Sequence, residues 1–294
     1  MKTKAYLYIV AGAALWGFIG LFVNILAARG FTPMQIVALR SVAAAAGITL
    51  VLLKLGRQYF VINWRDLWLF CGTGVISLTF FNYCYFNCMQ ASSLAVAALL
   101  LYTAPIFVML MSLALFKERF TGLKAAALAA TFIGCAFITG ALSDGASITM
   151  GALAYGLGSG VGYALYSIFG KLAIRKYSTA TITAYTFYCG AVSAVPLAGF
   201  SADQGVWDMG TLAASIGIGV LCAVVPYLLY TRGLQEVEAG QASILATIEP
   251  FVAAGIGIFV FGEPLTLQKG LGMLLILSAV IILNLPDLKR AGDN

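Results

Sequence analysis

Apolar runs follow one another along the whole chain, separated by short polar breaks. Ten of them stand out, at roughly residues 5–28, 34–54, 66–89, 93–116, 122–141, 148–170, 180–200, 210–231, 239–261 and 267–285. A helix needs about 20 apolar residues to cross a bilayer, and each run has about that length. The pattern therefore predicts an all-α integral membrane protein with ten transmembrane helices. The first run, after Met1-Lys2-Thr3-Lys4, is too long for a signal-peptide core, and nine more follow it. The last ends at Pro286.

The basic residues orient these runs. With the N-terminus inside, the inner segments hold Lys2, Lys4, Lys54, Arg57, Arg65, Lys117, Arg119, Lys124, Lys171, Arg175, Lys176, Arg232, Lys289 and Arg290. The outer segments hold Arg29 and Lys269, and Arg40 lies within a run. Fourteen against two is a strong positive-inside bias. It predicts both termini cytoplasmic and the Asp203–Asp208 loop outside. Trp64, Trp68 and Trp207 fall at the expected interfaces, whereas Trp16 lies deep in the first run.

Composition narrows the classes. The 294 residues are 62% hydrophobic and 10% charged, against about 25% charge in soluble domains. A soluble enzyme is excluded, and little chain is left for a soluble domain. With no histidine, histidine triads, HExxH zinc sites and histidine proton relays are excluded as well. The six cysteines lie in apolar runs without a CxxC pair and read as reduced packing thiols. No cofactor and no metal is expected. The net charge of +6 reflects topology and gives no reason to expect nucleic acid.

The chain also repeats itself. Ala97-Ala98-Leu99-Leu100-Leu101-Tyr102-Thr103-Ala104-Pro105 in the fourth run parallels Ala242-Ser243-Ile244-Leu245-Ala246-Thr247-Ile248-Glu249-Pro250 in the ninth. Glu118 and Glu263 follow their prolines at the same spacing, as do Thr121 and Thr266. The halves are then 1–143 and 144–294. Five runs per half is an odd number, so the second half must be inverted, with a central cavity between the two.

The motifs Ala14-Leu15-Trp16-Gly17, Ala38-Leu39-Arg40, Pro105 with Glu118, and Glu249-Pro250 with Gly262-Glu263 lie in order along both halves. In these the chain resembles the EamA type of the drug/metabolite transporter superfamily. The resemblance implies ten helices around a central cavity and movement of metabolites such as amino acids, often outward.

Glu249 is the sharpest candidate. It lies about 20 Å from the outer end of its run at 1.5 Å per residue. An ionisable residue at that depth is expensive and normally faces a cavity or a partner. A proton- or cation-binding carboxyl is one reading and a buried helix-helix hydrogen bond at Pro250 is the other. Arg40 is a candidate for a substrate carboxylate, for gating with Glu249, or for snorkelling outward. Thr79, Tyr83 and Asn87, bordered by Asn82, form a stripe that suits a polar cavity wall or interhelical contact. Trp16, Tyr102, Tyr163, Tyr166, Tyr227 and Tyr230 supply aromatic surface for aromatic or cationic ligands, or for packing. Trp16 and Tyr166 occupy matched positions after Ala14-Leu15 and Ala164-Leu165. Glu118 and Glu263 read as structural, each bonding the start of the helix that follows it. Gly156, Gly158, Gly160 and Gly162 read as close helix packing.

The expected function is secondary transport of a small metabolite by alternating access, as an amino-acid or amine exporter coupled to protons through Glu249. The partners are the small-molecule substrate, the lipid bilayer and protons. The setting is the bacterial cytoplasmic (inner) membrane, as a monomer or weak homo-oligomer. A lipid flippase or lipid-handling protein is the alternative. An intramembrane enzyme is disfavoured, because no paired carboxylates, Ser–Lys pair or metal cluster can be placed.

Overall fold

Residues 2–141, 148–201 and 205–292 are described by a computed structural model, with side chains for 3–141, 148–201 and 205–283. Among the described residues all regular structure is helical. Ten segments follow in order: α1 (Thr3–Ala27), α2 (Pro33–Leu55), α3 (Trp64–Ala91), α4 (Leu94–Phe116), α5 (Gly122–Thr139), α6 (Met150–Ala173), α7 (Thr179–Ala198), α8 (Met209–Gly233), α9 (Ala239–Phe259) and α10 (Leu267–Gly292). They fall on the ten apolar runs. Eight are long and apolar enough to cross a membrane. The other two are α6, which is diluted by glycine, serine and tyrosine, and α10, of which Leu267–Leu283 is the apolar stretch among the residues with described side chains. The helix of α10 continues past Pro286, where the sequence predicts its end. The repeat boundary at 143/144, Asp203, and the side chains of Lys289 and Arg290 lie outside the described residues.

Helix starts are written in polar residues. Thr32 caps α2 in a reciprocal box: its hydroxyl accepts from Gln35 N, and Gln35 Oε1 accepts from Thr32 N. Ser93, Thr121, Thr149, Ser178 and Asp208 each accept the backbone N–H three residues on, opening α4, α5, α6, α7 and α8. These caps satisfy backbone donors that lipid could not.

Packing pairs the halves counterpart by counterpart. α1 lies against α8 and α9, and its repeat partner α6 lies against α3 and α4. α2 packs on α7, and α5 on α10. The glycines of α6 make its part possible. A Cβ at Gly160 would fall 2.6 Å from Thr103 Oγ1, and one at Gly162 would fall 2.8 Å from Phe81 Cβ. A Cβ at Gly156 would fall 2.7 Å from Leu100 Cβ. Overpacking a tight interface costs about 1–3 kcal/mol. Gly160→Val is therefore expected to lower the unfolding temperature of the purified protein. Gly255→Ala, where nothing lies within 4 Å, is expected to leave it unchanged or raise it, and a thermal melt of the two variants checks the contrast.

Five helices depart from regular α geometry, α1 through an interruption at Phe18 between Lys2–Gly17 and Ile19–Ala27. Repeat partners α4 and α9 are both broken. α4 divides into Leu94–Leu101 and Ala104–Phe116, and α9 into Ala239–Leu245 and Ile248–Phe259. Pro105 and Pro250 lie just beyond these breaks, where the ring removes a backbone donor. Partners α3 and α8 both contain π-helix, over Gly72–Phe80 and Val220–Val224.

Candidate functional site

Five aromatic rings from α1, α6 and α8 converge between the halves. Trp16 meets Tyr163, Tyr227 and Tyr230 at centroid distances of 6.2, 5.4 and 5.3 Å. Tyr166 meets Tyr227 at 4.7 Å and Tyr230 at 6.1 Å. With Ser77 and Ser167 they line a small central cavity, about 10 Å³ open to water centres, room for about one water molecule. Edge-to-face contacts hold the rings with their polar tips selectively paired. Tyr166 Oη and Thr231 Oγ1 lie 2.7 Å apart, and Ser167 Oγ and Tyr230 Oη 2.8 Å apart. Trp16 Nε1 is buried with no protein acceptor, so this donor is available to a bound group.

Glu249 stands beside this cluster at the break in α9. It is the second residue of the Ile248–Phe259 piece, where the helix dipole favours a negative charge. Tyr163 Oη donates to Glu249 Oε2 at 3.0 Å, linking the acid to the aromatic box. Gly17 lets α1 approach: a Cβ there would meet Val252 Cβ at 2.7 Å and Glu249 O at 3.0 Å.

Arg40 is 6% exposed. It stays inside the bundle rather than snorkelling outward, and its Nε has no protein acceptor. No salt bridge within 4 Å joins it to Glu249.

The stripe of α3 is not brought into the central cluster. Thr79 is buried against α7, 2.7 Å from Ser193 Oγ. Tyr83 is 43% exposed and meets Tyr155 edge-on at 6.4 Å. Asn82 and Asn87 donate to backbone carbonyls one turn back, Leu78 O and Tyr83 O, each at 2.7 Å. The residues that α3 sends to the centre are Ser77, which lines the cavity, and Phe81, whose ring lies 5.6 Å from Tyr163. They sit two residues before Thr79 and Tyr83, on the opposite side of the helix. Ser77 Oγ donates to Gly72 O five residues back, across the widened π turn. Tyr102 sits in the break of α4, partly buried against the core.

Glu118 does not bond the helix that follows it. Thr121 fills that role through Lys124 N. The Glu118 carboxylate instead reaches α9 in the other half, accepting from Ala239 N at 2.7 Å and Gly240 N at 3.1 Å. Glu263 likewise leaves the capping of α10 to Thr266 and accepts from Lys269 Nζ at 2.7 Å.

Two further ion pairs tie loops of opposite halves, Lys176 with Asp66 at 2.7 Å and Arg29 with Asp208 at 3.3 Å. The Thr211 backbone N–H, followed by Arg29, holds the Asp208 carboxyl below the usual carboxylate range. Among the described residues no group of three or more His, Cys, Asp or Glu is placed to hold a metal. The six cysteines are free thiols.

Comparison with known proteins bears on this arrangement. The sequence profile of the EamA-like transporter family matches twice, over residues 3–140 and 150–285. A transporter of Archaeoglobus fulgidus is 34% identical over 71% of this chain and 75% of its own length. The transporter YwfM of Bacillus subtilis is 24% identical over 99% of this chain and 97% of its own. The threonine/homoserine exporter RhtA of Escherichia coli is 26% identical over 65% of this chain and 62% of its own. One solved crystal structure shares the fold, with a TM-score of 0.83 at 18% identity over the full length of both chains. The two profile matches fall on the two sets of five helices, and the chain is a multi-pass membrane transporter rather than an enzyme, belonging to the EamA-like transporter family of the drug/metabolite transporter superfamily.

Proposed function

We propose that this transporter exports a small amino acid or amine across the cytoplasmic membrane by alternating access, coupled to protons through Glu249. In this reading all ten helices cross the membrane in two inverted halves, with both termini cytoplasmic. The observation that carries it is the Tyr163–Glu249 hydrogen bond at a broken helix, beside a box of Trp16 and four tyrosines. A carboxylate next to aromatic faces attracts an ammonium group by charge and by cation–π contact. In this reading the buried Arg40, whose Nε has no protein acceptor, draws the substrate carboxylate, so that an amino acid is met at both ends. Paired helix breaks near mid-helix are where secondary transporters bind solutes. RhtA, which exports threonine and homoserine, supports an amino-acid substrate at low identity.

Lipid handling is a second reading with its own observation. An apolar groove of about 620 Å³ opens between α2 and α8, lined by Leu39, Val42, Leu50, Leu212 and Ile216 among others. It is separate from the aromatic box. Proteoliposomes carrying the purified protein decide between the readings. Solute export predicts saturable efflux of at least one solute from a panel of amino acids and amines, with labelled lipid left in its leaflet. Accelerated lipid exchange without movement of any solute in the panel would replace it with lipid handling.

A further inference from the structure

We infer that Glu118 and Glu263 are alternating latches, each closing one end of the transport path by seizing the first two amides of the broken helix facing it. The inference rests on the transport reading only in supposing that the two ends open in turn. In this structure the Glu118 latch is closed. Both carboxylate oxygens are used, on Ala239 N and Gly240 N, and Glu118 and Ala239 are 8% and 0% exposed. A carboxylate on helix-start amides forms a charge-assisted bond, supported by the helix dipole.

The repeat assigns the second latch. A shift of 145 residues carries Pro105 onto Pro250, and equally Leu94 onto Ala239, Ala95 onto Gly240, Glu118 onto Glu263 and Lys124 onto Lys269. The counterpart of the observed contact is thus Glu263 on the amides of Leu94 and Ala95. That contact is not made here. Glu263 is exposed and held by Lys269 on its own turn, and Leu94 is 60% exposed. Lys124, the counterpart of Lys269, leaves Glu118 alone and pairs across the halves with Glu238. The two turns are otherwise alike, since Thr121 and Thr266 cap α5 and α10 through Lys124 N and Lys269 N. They differ in where the glutamate goes.

Other related contacts do not differ in this way. Lys176–Asp66 and Arg29–Asp208 occupy corresponding loops of the two halves, and both are formed. The asymmetry therefore marks the glutamates as moving parts and the loop pairs as fixed ones. In the opposite state Glu263 leaves Lys269 for Leu94 and Ala95, while Glu118 leaves Ala239 and Gly240 for Lys124. Each lysine is the resting partner of its own glutamate.

Hydrogen exchange of the purified full-length protein, followed by mass spectrometry, tests this without a substrate. Loss of a charge-assisted bond is worth about tenfold or more in an opening equilibrium. Glu118→Ala should speed exchange over residues 239–242 by about that factor and slow it over 94–97, because the other end closes. Glu263→Ala, at an exposed side chain, should slow exchange over 239–242 by holding the present state. Glu118→Gln should act in the same direction as Glu118→Ala with a smaller effect, and serves if the alanine variant does not fold. A plain helix cap predicts faster exchange over 239–242 alone. No slowing over 94–97 on loss of Glu118, or unchanged exchange over 239–242 on loss of Glu263, would overturn the latch. Reciprocal exchange in a protein that moves no solute of the panel would fault the substrate assignment and leave the latch standing.

Discussion

Replacing Glu249 with glutamine is expected to abolish proton-driven transport while the protein folds and melts as the parent does. The amide keeps the shape of the side chain and can still accept from Tyr163 Oη, which donates to Oε2 in this structure. It cannot carry a charge or exchange a proton. If Glu249 binds the ammonium group or the proton, its loss removes a charged partner from a desolvated site. Such truncations cost about 2–5 kcal/mol, which is roughly thirtyfold or more in affinity. Downhill exchange of substrate should survive in part, because the aromatic box and Arg40 remain. A purely structural Glu249 gives the reverse pattern: a lower melting temperature, with normal pH dependence in the protein that survives. Melting and transport measured on one preparation separate the two.

The second large effect is at Trp16. Trp16→Ala removes the ring that touches Tyr163, Tyr227 and Tyr230, and large-to-small changes of this kind cost about 3–5 kcal/mol. Low yield of this variant would follow from packing alone and says little about binding. Trp16→Phe is the informative change. It keeps a ring in the box and deletes Nε1–H, a buried donor without a protein acceptor. An unmet buried donor costs about 1–3 kcal/mol, so the phenylalanine variant should be as stable as the parent or more so. If the donor serves substrate, binding should weaken by a comparable amount, about five- to a hundredfold. Equal affinity in a stable Trp16→Phe would leave Trp16 as packing.

The placement of the helices was legible from apolar run length, because a bilayer asks for about 20 apolar residues per span, and eight of the helices among the described residues are long and apolar enough to cross one. The aromatic box was legible in part, through the match of Trp16 with Tyr166 and the one-turn spacing of Tyr227 and Tyr230. These helices are regular where they contribute, so i, i+3 spacing reports their faces faithfully. The face of α3 was not legible. Thr79, Tyr83 and Asn87 have helical spacing, but spacing says which residues share a side and not which side turns inward. Tight packing of Phe81 on Gly162 and the π segment Gly72–Phe80 decide that, and neither leaves a mark in composition. α9 shows the same limit. Helical spacing puts Ala253 on the side of Ala242 and Ala246, yet after the break at Ala246–Thr247 Ala253 is exposed while the other two are buried. The partner of Glu118 was hidden for a different reason. Its bonds go to backbone amides 121 and 122 residues away, and only the three-dimensional pairing of the halves brings them together.

The central claim is that a carboxyl at the break of α9 couples substrate to protons. Proteoliposomes holding the parent or Glu249→Gln, loaded with a solute identified in the panel, test it through two rates on the same vesicles. One is movement driven by an imposed pH gradient, and the other is exchange of labelled for unlabelled solute at equal pH. The account predicts that the parent does both and that Glu249→Gln retains exchange and loses the response to the gradient. Gradient-driven transport at the parental rate in Glu249→Gln would contradict it.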